Sequence, residues 1–564
     1  MANMKQPLDG LRRHALNAAA LALCAGIYAP VGAVEIDTGN SDVQLRFDTT
    51  VRYNLGYRTE SQDPAIIGNP NADDGDRNFK QHGIVTNRID LLSELDVVWR
   101  KQLGARLSAA GWYDNAYSGS LDNTSLATSN HLVNGAPAFG LSDYTKRYYK
   151  GASGEILDAF VFGSALLGNM NATVRLGRHT INWGEALLGG GAVHGISYSQ
   201  APLDQAKGIA TPGIEAKELF RPQNQVSGQL QVTPELSLAA QYFFQWEPTR
   251  FPEAGTYLGF NDALLLGADS VVLVPGVPGV RAVHIADIKP KNRGDWGVAA
   301  RWSPEWLEGT AGLYYRNFSD KLPQQATVGL PLPTQYFLMY PSDIEMYGVS
   351  LTKQIAGISF GMDLNFRKNM PLISRGVALP AGAPLPAQGE TLGARGDTWH
   401  AVLNAIGTLP RTPLFNSASW NAELTWSRWE KLTSDPFNVF KGLQAYSSNP
   451  ANIDRVTKEA FGLAVGFTPT WYQVFPGADL SMPVSASIGL SGNSAVTTGG
   501  NKGNGSYSAG LGLDLYSKYR FDLRYVDYYG DYFTNAAGVA TVSNGPTTML
   551  KDRGAIYFTF KTTF

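Results

Sequence analysis

Residues 43–58 dictate what this chain can become. Val43, Leu45, Phe47, Val51, Tyr53, Leu55 and Tyr57 occupy odd positions, broken only at Thr49, while Gln44, Arg46, Asp48, Thr50, Arg52, Asn54, Gly56 and Arg58 fill the even ones. Side chains alternate faces along an extended backbone, so the run is a strand with one apolar and one polar face. It is far longer than the roughly 5 to 6 residues usual in a soluble sheet. The same period returns at 225–232, 236–246, 358–367 and 507–515. Strands of about 9 to 11 residues, joined alternately by tight turns and long loops, are what a barrel needs to cross an outer membrane.

The connections obey that rule. Short links at 101–104, 168–171, 233–235, 303–306, 354–356 and 517–518 interleave with long segments near 59–84, 118–154, 182–222, 248–292, 319–343, 369–396, 430–456 and 531–551. Strand starts fall near 43, 85, 103, 155, 172, 224, 235, 293, 307, 344, 356, 397, 417, 457, 481, 504, 519 and 552. That is eighteen, an even number that puts both termini on the periplasmic side. The patterns near 155 and 397 are the weakest, and without them the count is sixteen. The expected fold is all-β, a transmembrane antiparallel β-barrel with long extracellular loops and short periplasmic turns.

Compartment and charge agree with it. Lys5, Arg12 and Arg13 precede an apolar stretch from Ala15 to Tyr28, and Val31-Gly32-Ala33 supplies small residues for cleavage. Residues 1–33 therefore read as a removed signal peptide, leaving 34–564 as a single barrel domain in the outer membrane of a Gram-negative bacterium. No later apolar run is long enough for a membrane helix. Without the signal, 43 basic residues stand against 47 acidic ones, a balance that gives no reason to expect nucleic acid as a partner. The sole cysteine, Cys24, lies in the signal, so the mature chain has no disulfide or thiol chemistry. The chain ends on an alternating strand, Ile556, Phe558, Phe560, Thr562 and Phe564 against Tyr557, Thr559, Lys561 and Thr563. Such an ending resembles the signal by which the barrel-assembly machinery recognises its clients.

Three further stretches carry a family resemblance: Thr173-Val174-Arg175-Leu176-Gly177-Arg178 followed by Asn182-Trp183-Gly184-Glu185, then Pro212 to Glu218, and Tyr472 to Leu480. With the last strand, they make the sequence similar over nearly its whole mature length to a large Gram-negative family catalogued as a domain of unknown function. The resemblance implies an outer-membrane β-barrel and suggests a link with export or uptake of lipid-like compounds. It supplies neither a solute nor a catalytic residue.

Sites of chemistry are sparse. Gly195-Ile196-Ser197-Tyr198-Ser199 lacks the last glycine of a lipase elbow. The mature histidines His82, His131, His179, His194, His284 and His400 show no paired metal-ligand spacing. A serine–histidine pair drawn from distant strands stays open, but no enzyme, metal or cofactor is expected. The acidic run Asn71 to Asp76 reads as a solvated turn, and Gly189-Gly190-Gly191 lacks the lysine of a phosphate loop. The polar strand faces are richer, with Arg46, Asp48 and Arg52, then Arg88, Asp90, Glu94 and Asp96, then Arg106 and Asp114. These charges belong in the lumen, either as a salt-bridge lattice or as a solute-contacting ladder.

Two loop features point to function. The long loops carry apolar, proline-rich runs at 271–280, 330–333, 336–340, 372–373 and 377–380, either packed together over the mouth or offered to a hydrophobic solute or lipid. The 182–222 connection is too long for a simple hairpin loop. It is expected to fold inward, Glu185 and Glu218 pairing with wall arginines such as Arg88, Arg106 or Arg175, with Trp183, Ile196, Tyr198 and Leu203 as an apolar path past His194. The sequence thus predicts a channel for hydrophobic or amphipathic small molecules or lipid-like compounds. The alternatives are a porin for polar or carboxylated solutes, an outer-membrane lipid hydrolase or a structural barrel. Expected partners are outer-membrane lipid, the solute, the assembly machinery and periplasmic or inner-membrane transport proteins.

Overall fold

The computed structural model describes residues 34–564, except Gln81, Pro212, Gly213, Glu215, Pro275, Gly276, Pro278 and Gly279; the expected signal peptide, 1–33, lies outside the described residues. Eighteen antiparallel strands build the wall: β1 (Val43–Arg58), β2 (Ile84–Trp99), β3 (Leu103–Asp114), β4 (Gly151–Leu167), β5 (Met170–His179), β6 (Gln223–Gln231), β7 (Leu236–Phe243), β8 (Trp296–Trp302) and β9 (Gly309–Phe318). The second half comprises β10 (Ile344–Ile355), β11 (Ile358–Pro371), β12 (Arg395–Leu409), β13 (Ser417–Ser434), β14 (Glu459–Phe475), β15 (Val484–Ser491), β16 (Gly505–Leu515), β17 (Tyr519–Tyr529) and β18 (Ala555–Thr563). The strands near 155 and 397 are both present, as β4 and β12. A short strand, Ala478–Ser481, precedes β15, and Pro483 sits at the break between them.

Closure is direct. β1 pairs with β2 on one side and with β18 on the other, from Thr50 opposite Thr563 to Arg58 opposite Ala555. Thr49 and Phe564 exchange both backbone hydrogen bonds, at 3.0 and 2.9 Å. The short strand Val34–Ile36 pairs with Leu45, Arg46 and Phe47 of β1 beyond that point. Both ends of the described chain therefore lie on the side of the tight turns. One of these turns, between β10 and β11, is Ala356-Gly357 with φ of +50° and +80°, the left-handed pair that matches the twist of a two-residue hairpin.

The period of two sorts the wall as the sequence predicts. Phe47, Tyr57, Leu107, Val161, Leu313 and Leu403 are exposed on the outer face, whereas Asp48, Thr50, Arg52, Asn54 and Arg58 are buried on the inner one. Over the mouth, three long loops join in a five-stranded sheet of Ser270–Val272, Arg281–His284, Gln335–Met339, Gln324–Leu330 and Val377–Pro380. Packing explains much of the apolar loop sequence: Tyr336 to Tyr340, Val377 and Leu379 are buried in or against this sheet, and Leu372 is buried in a separate cluster with Ala394 and Phe440. Val277, Leu330 and Leu332 remain exposed.

Candidate functional site

The described residues of the connection between β5 and β6, 180–222, bind side chains on the inner faces of β1, β9, β11 and β13. Its first part is held by backbone groups gripping wall side chains. The Glu423 carboxylate on β13 accepts from the N–H groups of Leu187 (2.7 Å), Leu188 (3.0 Å) and Gly191 (2.8 Å). A Cβ at 191 would come within 2.4 Å of a Glu423 oxygen, so a larger residue there would push the carboxylate away from its donors. Asp363 on β11 accepts from Glu185 (2.9 Å) and Ile196 (3.0 Å). The segment's carbonyls are bound in turn by guanidinium groups, Arg367 donating to Val193 and Gly195 and Arg316 donating to Ile196 and Tyr198. Buried backbone groups need such partners, and here the wall supplies them.

Farther along, Asp204 caps the short helix Gln205–Ala210 by accepting from the Lys207 N–H at 3.0 Å. The carbonyl of Ala210 accepts from the Asn54 side chain of β1 at 3.0 Å. Glu218 forms a fully buried ion pair with Arg52, and Lys217 pairs with Glu94.

The remaining predicted residues divide by what they touch. Arg88 is bound by Asp90 on its own strand, at 2.7–3.0 Å, and lies over Trp112. Arg106 is shared by Glu94, Asp96 and Asp158, and Arg175 stacks on Phe160. None of the three meets Glu185 or Glu218. Glu185 instead accepts from the Ser350 hydroxyl at 3.4 Å, and its carbonyl accepts from Asn404. Trp183, Ile196 and Tyr198 line no open path. They are packed in a core with Tyr314, Phe318, Ile344 and Met346, and the Tyr198 hydroxyl donates to Asp320 at 2.8 Å. Arg46, toward the tight turns, is 59 % exposed and pairs with Asp48. Burial is thus concentrated at the segment, while charges nearer the tight turns, such as Arg46, Arg106 and Arg520, meet solvent.

Sequence reasoning missed Glu423, Arg316 and His400 as holders of the segment. The alternation places them on inner faces, but nothing local marks their partners across the lumen. His194 and His400, 206 positions apart, meet with Nδ1 atoms 2.8 Å apart.

Beside the segment lies a cavity of about 940 Å³, lined by Trp112, Tyr144, Tyr148, Leu132 and Ile285 together with Arg147, Glu155, Arg221, Glu247 and Arg250. Its charges form a chain of ion pairs: Arg221 with Glu247 (2.7 Å) and Glu155 (3.7 Å), then Arg250 with Glu155 (3.0 Å) and Asp204 (2.7 Å). A serine–histidine contact does occur in the wall, Ser227 Oγ to His179 Nε2 at 2.7 Å. Its third member is the Gly177 carbonyl and both residues are buried, so it has neither the carboxylate nor the access of a hydrolytic triad.

These features define a large transmembrane β-barrel with one of its own connections fastened across the inner wall. The chain belongs to the family described as "Protein of unknown function (DUF1302)", whose model matches residues 15–564. No curated protein sequence matches it. Among solved structures it is similar to OccD3 (OpdP) of Pseudomonas aeruginosa, at 11% identity over 95% of this chain and 93% of that one, with a TM-score of 0.40. It is also similar to OccAB4 of Acinetobacter baumannii, at 8% identity over 92% and 98%, TM-score 0.42. The outer membrane channel DcaP of the same species follows at 10% identity over 95% and 100%, TM-score 0.34. Likeness at this level decides nothing about solute or mechanism.

Proposed function

We propose that this protein is an outer-membrane channel for a small amphipathic solute, with the 180–222 segment as its constriction and the 940 Å³ cavity as the solute's station beside it. The observation that carries the reading is the contrast of fastenings. The wall is a closed β ladder, while the segment across its inner face is held mainly by side-chain hydrogen bonds and ion pairs that can be exchanged. The cavity supports an amphipathic cargo because aromatic rings and ionised groups share its lining. Residues 1–33 would direct export and be removed, and the β18 strand would present the chain to the assembly machinery.

The test is deletion of Leu188 to Gly208 followed by single-channel recording. Conductance should rise and larger polar solutes should pass; unchanged conductance in a correctly folded barrel refutes the constriction. A second reading, a porin for polar or carboxylated solutes, is favoured by the ion-pair chain of Arg221, Glu247, Glu155 and Arg250. Liposome swelling with octanoate, benzoate and a neutral sugar separates the two.

A further inference from the structure

One fastening of the segment joins two titratable rings. His194 and His400 stack with centroids 5.1 Å apart, their Nδ1 atoms are 2.8 Å apart, and both residues are buried. The hydrogen positions follow from the partners. His194 Nε2 lies 2.8 Å from the Gly499 carbonyl oxygen, which can only accept, so this nitrogen carries a proton. In the neutral ring Nδ1 is then an acceptor, and His400 Nδ1 donates to it. His400 Nε2 in turn accepts from the Thr398 hydroxyl at 2.9 Å. Every ring nitrogen is satisfied with both rings uncharged.

Protons upset this arrangement in steps. A first one can sit on His194 Nδ1 if His400 changes tautomer and donates through Nε2 to Thr398. A second cannot, because two N–H groups would then face each other across 2.8 Å. The charged groups around the pair do not help. Arg367 on β11, whose guanidinium grips the Val193 and Gly195 carbonyls on either side of His194, opposes added positive charge. The carboxylates on the adjoining strands, Asp363 and Glu423, are engaged by backbone N–H groups of the segment. Thr398, Gly499 and Asn365, which donates to the His194 carbonyl at 2.8 Å, are neutral. Burial, with Arg367 adding to it, pulls His194 down to about 4.

We propose that the His194–His400 contact is an acid-sensitive latch, holding the segment on the wall while the rings are uncharged and releasing it when they take up protons. The proposal rests on the channel reading for its consequence, a wider passage at low pH. Release of the segment costs less than opening the wall, since β12 is paired along both edges and the described residues of the segment form no ladder with any of the eighteen strands. Departure carries His194 to water, where its charge is solvated.

The test compares wild type with His400→Asn, whose side-chain amide can donate toward His194 without titrating, and with the double variant His194→Asn/His400→Asn. In planar bilayers in symmetric KCl, wild type should pass at least about tenfold more open time at pH 4.5 than at 7.5, and the double variant should lose the step. An identical acid step in all three folded barrels overturns the latch. Hydrogen exchange of residues 186–196, normalised to β12 and β13 of the same molecule, reads the segment without any current. A wild-type ratio that rises at pH 4.5, and flattens in the double variant, supports the latch even if no pH gives a current, in which case the channel reading alone fails. A ratio that pH leaves unchanged overturns the latch.

Discussion

Removing the Glu423 carboxylate tests how the segment is fastened. In Glu423→Ala the N–H groups of Leu187, Leu188 and Gly191 lose their common acceptor, which sits 2.7–3.0 Å from them. A hydrogen bond to a charged group contributes about 1.5–3 kcal/mol, so three amount to about 5–9 kcal/mol. Two effects reduce the loss: the variant no longer buries an ionised group, and water can enter the space left by the side chain. A net cost of about 3 kcal/mol corresponds to roughly a hundredfold shift toward the released segment. The wall itself should be spared, since Glu423 points inward from a β13 that keeps both its neighbours. The assay is hydrogen exchange of residues 185–196 against the strands of the same barrel, with single-channel recording in parallel. Exchange should rise by about two orders of magnitude, and Glu423→Gln, which keeps one acceptor oxygen, should fall between. If Glu423→Ala folds and the protection of 185–196 matches wild type, the carboxylate does not hold the segment and the fastening argument fails.

Deleting Phe564 removes both backbone bonds to Thr49 and should lower the yield of folded barrel; equal heat-modifiable bands for the two proteins would contradict this. Leu313→Arg or Leu403→Arg should destabilise by about 2–4 kcal/mol near the bilayer midplane, because both residues are exposed on the outer face, whereas Asp48→Asn on the inner face should be tolerated. Urea titrations showing equal losses would reverse the assigned faces. At the extracellular rim Asp552 is pushed up to about 7 by burial and by Asp76 beside it. A carboxyl raised in this way favours the folded loops most at low pH and loses that advantage as pH rises from about 4 to 7. Limited proteolysis of the 59–83 loop should therefore quicken between about pH 4 and 7 and level off above that, and Asp552→Asn should flatten the profile.

The wall was legible because its signal is local. Each strand start falls within four residues of the position read from alternation, and the face of Arg52 or Asp48 follows from parity alone. Lumen contacts have no such signal. Arg88 and Arg106 look available in sequence, yet the wall neutralises them first. Asp90 lies two residues along the same face, and Asp96 stands opposite Arg106 on the neighbouring strand. The partner Glu218 finds is Arg52, 166 positions away. The glycines at 189–191 stand out in the sequence, but what Gly191 does depends on a carboxylate more than two hundred residues later. Trp183 and Ile196 suggest a path because they are apolar, and only the packing around them makes them core.

The sheet over the mouth bears on how this protein can vary over generations. Surface loops ordinarily absorb insertions freely. Here Arg281–His284 pairs in parallel with Gln335–Met339, and Gln324–Leu330 pairs in parallel with Val377–Pro380, so loops rooted on different hairpins share one register. A single added residue in any of these strands would turn its buried side chains to solvent and misalign its neighbours. Drift in length should therefore collect at tips outside the shared sheet, such as 381–388 and the 535–538 turn, where most residues are exposed. The three loops that build the sheet are, in that sense, inherited as one piece.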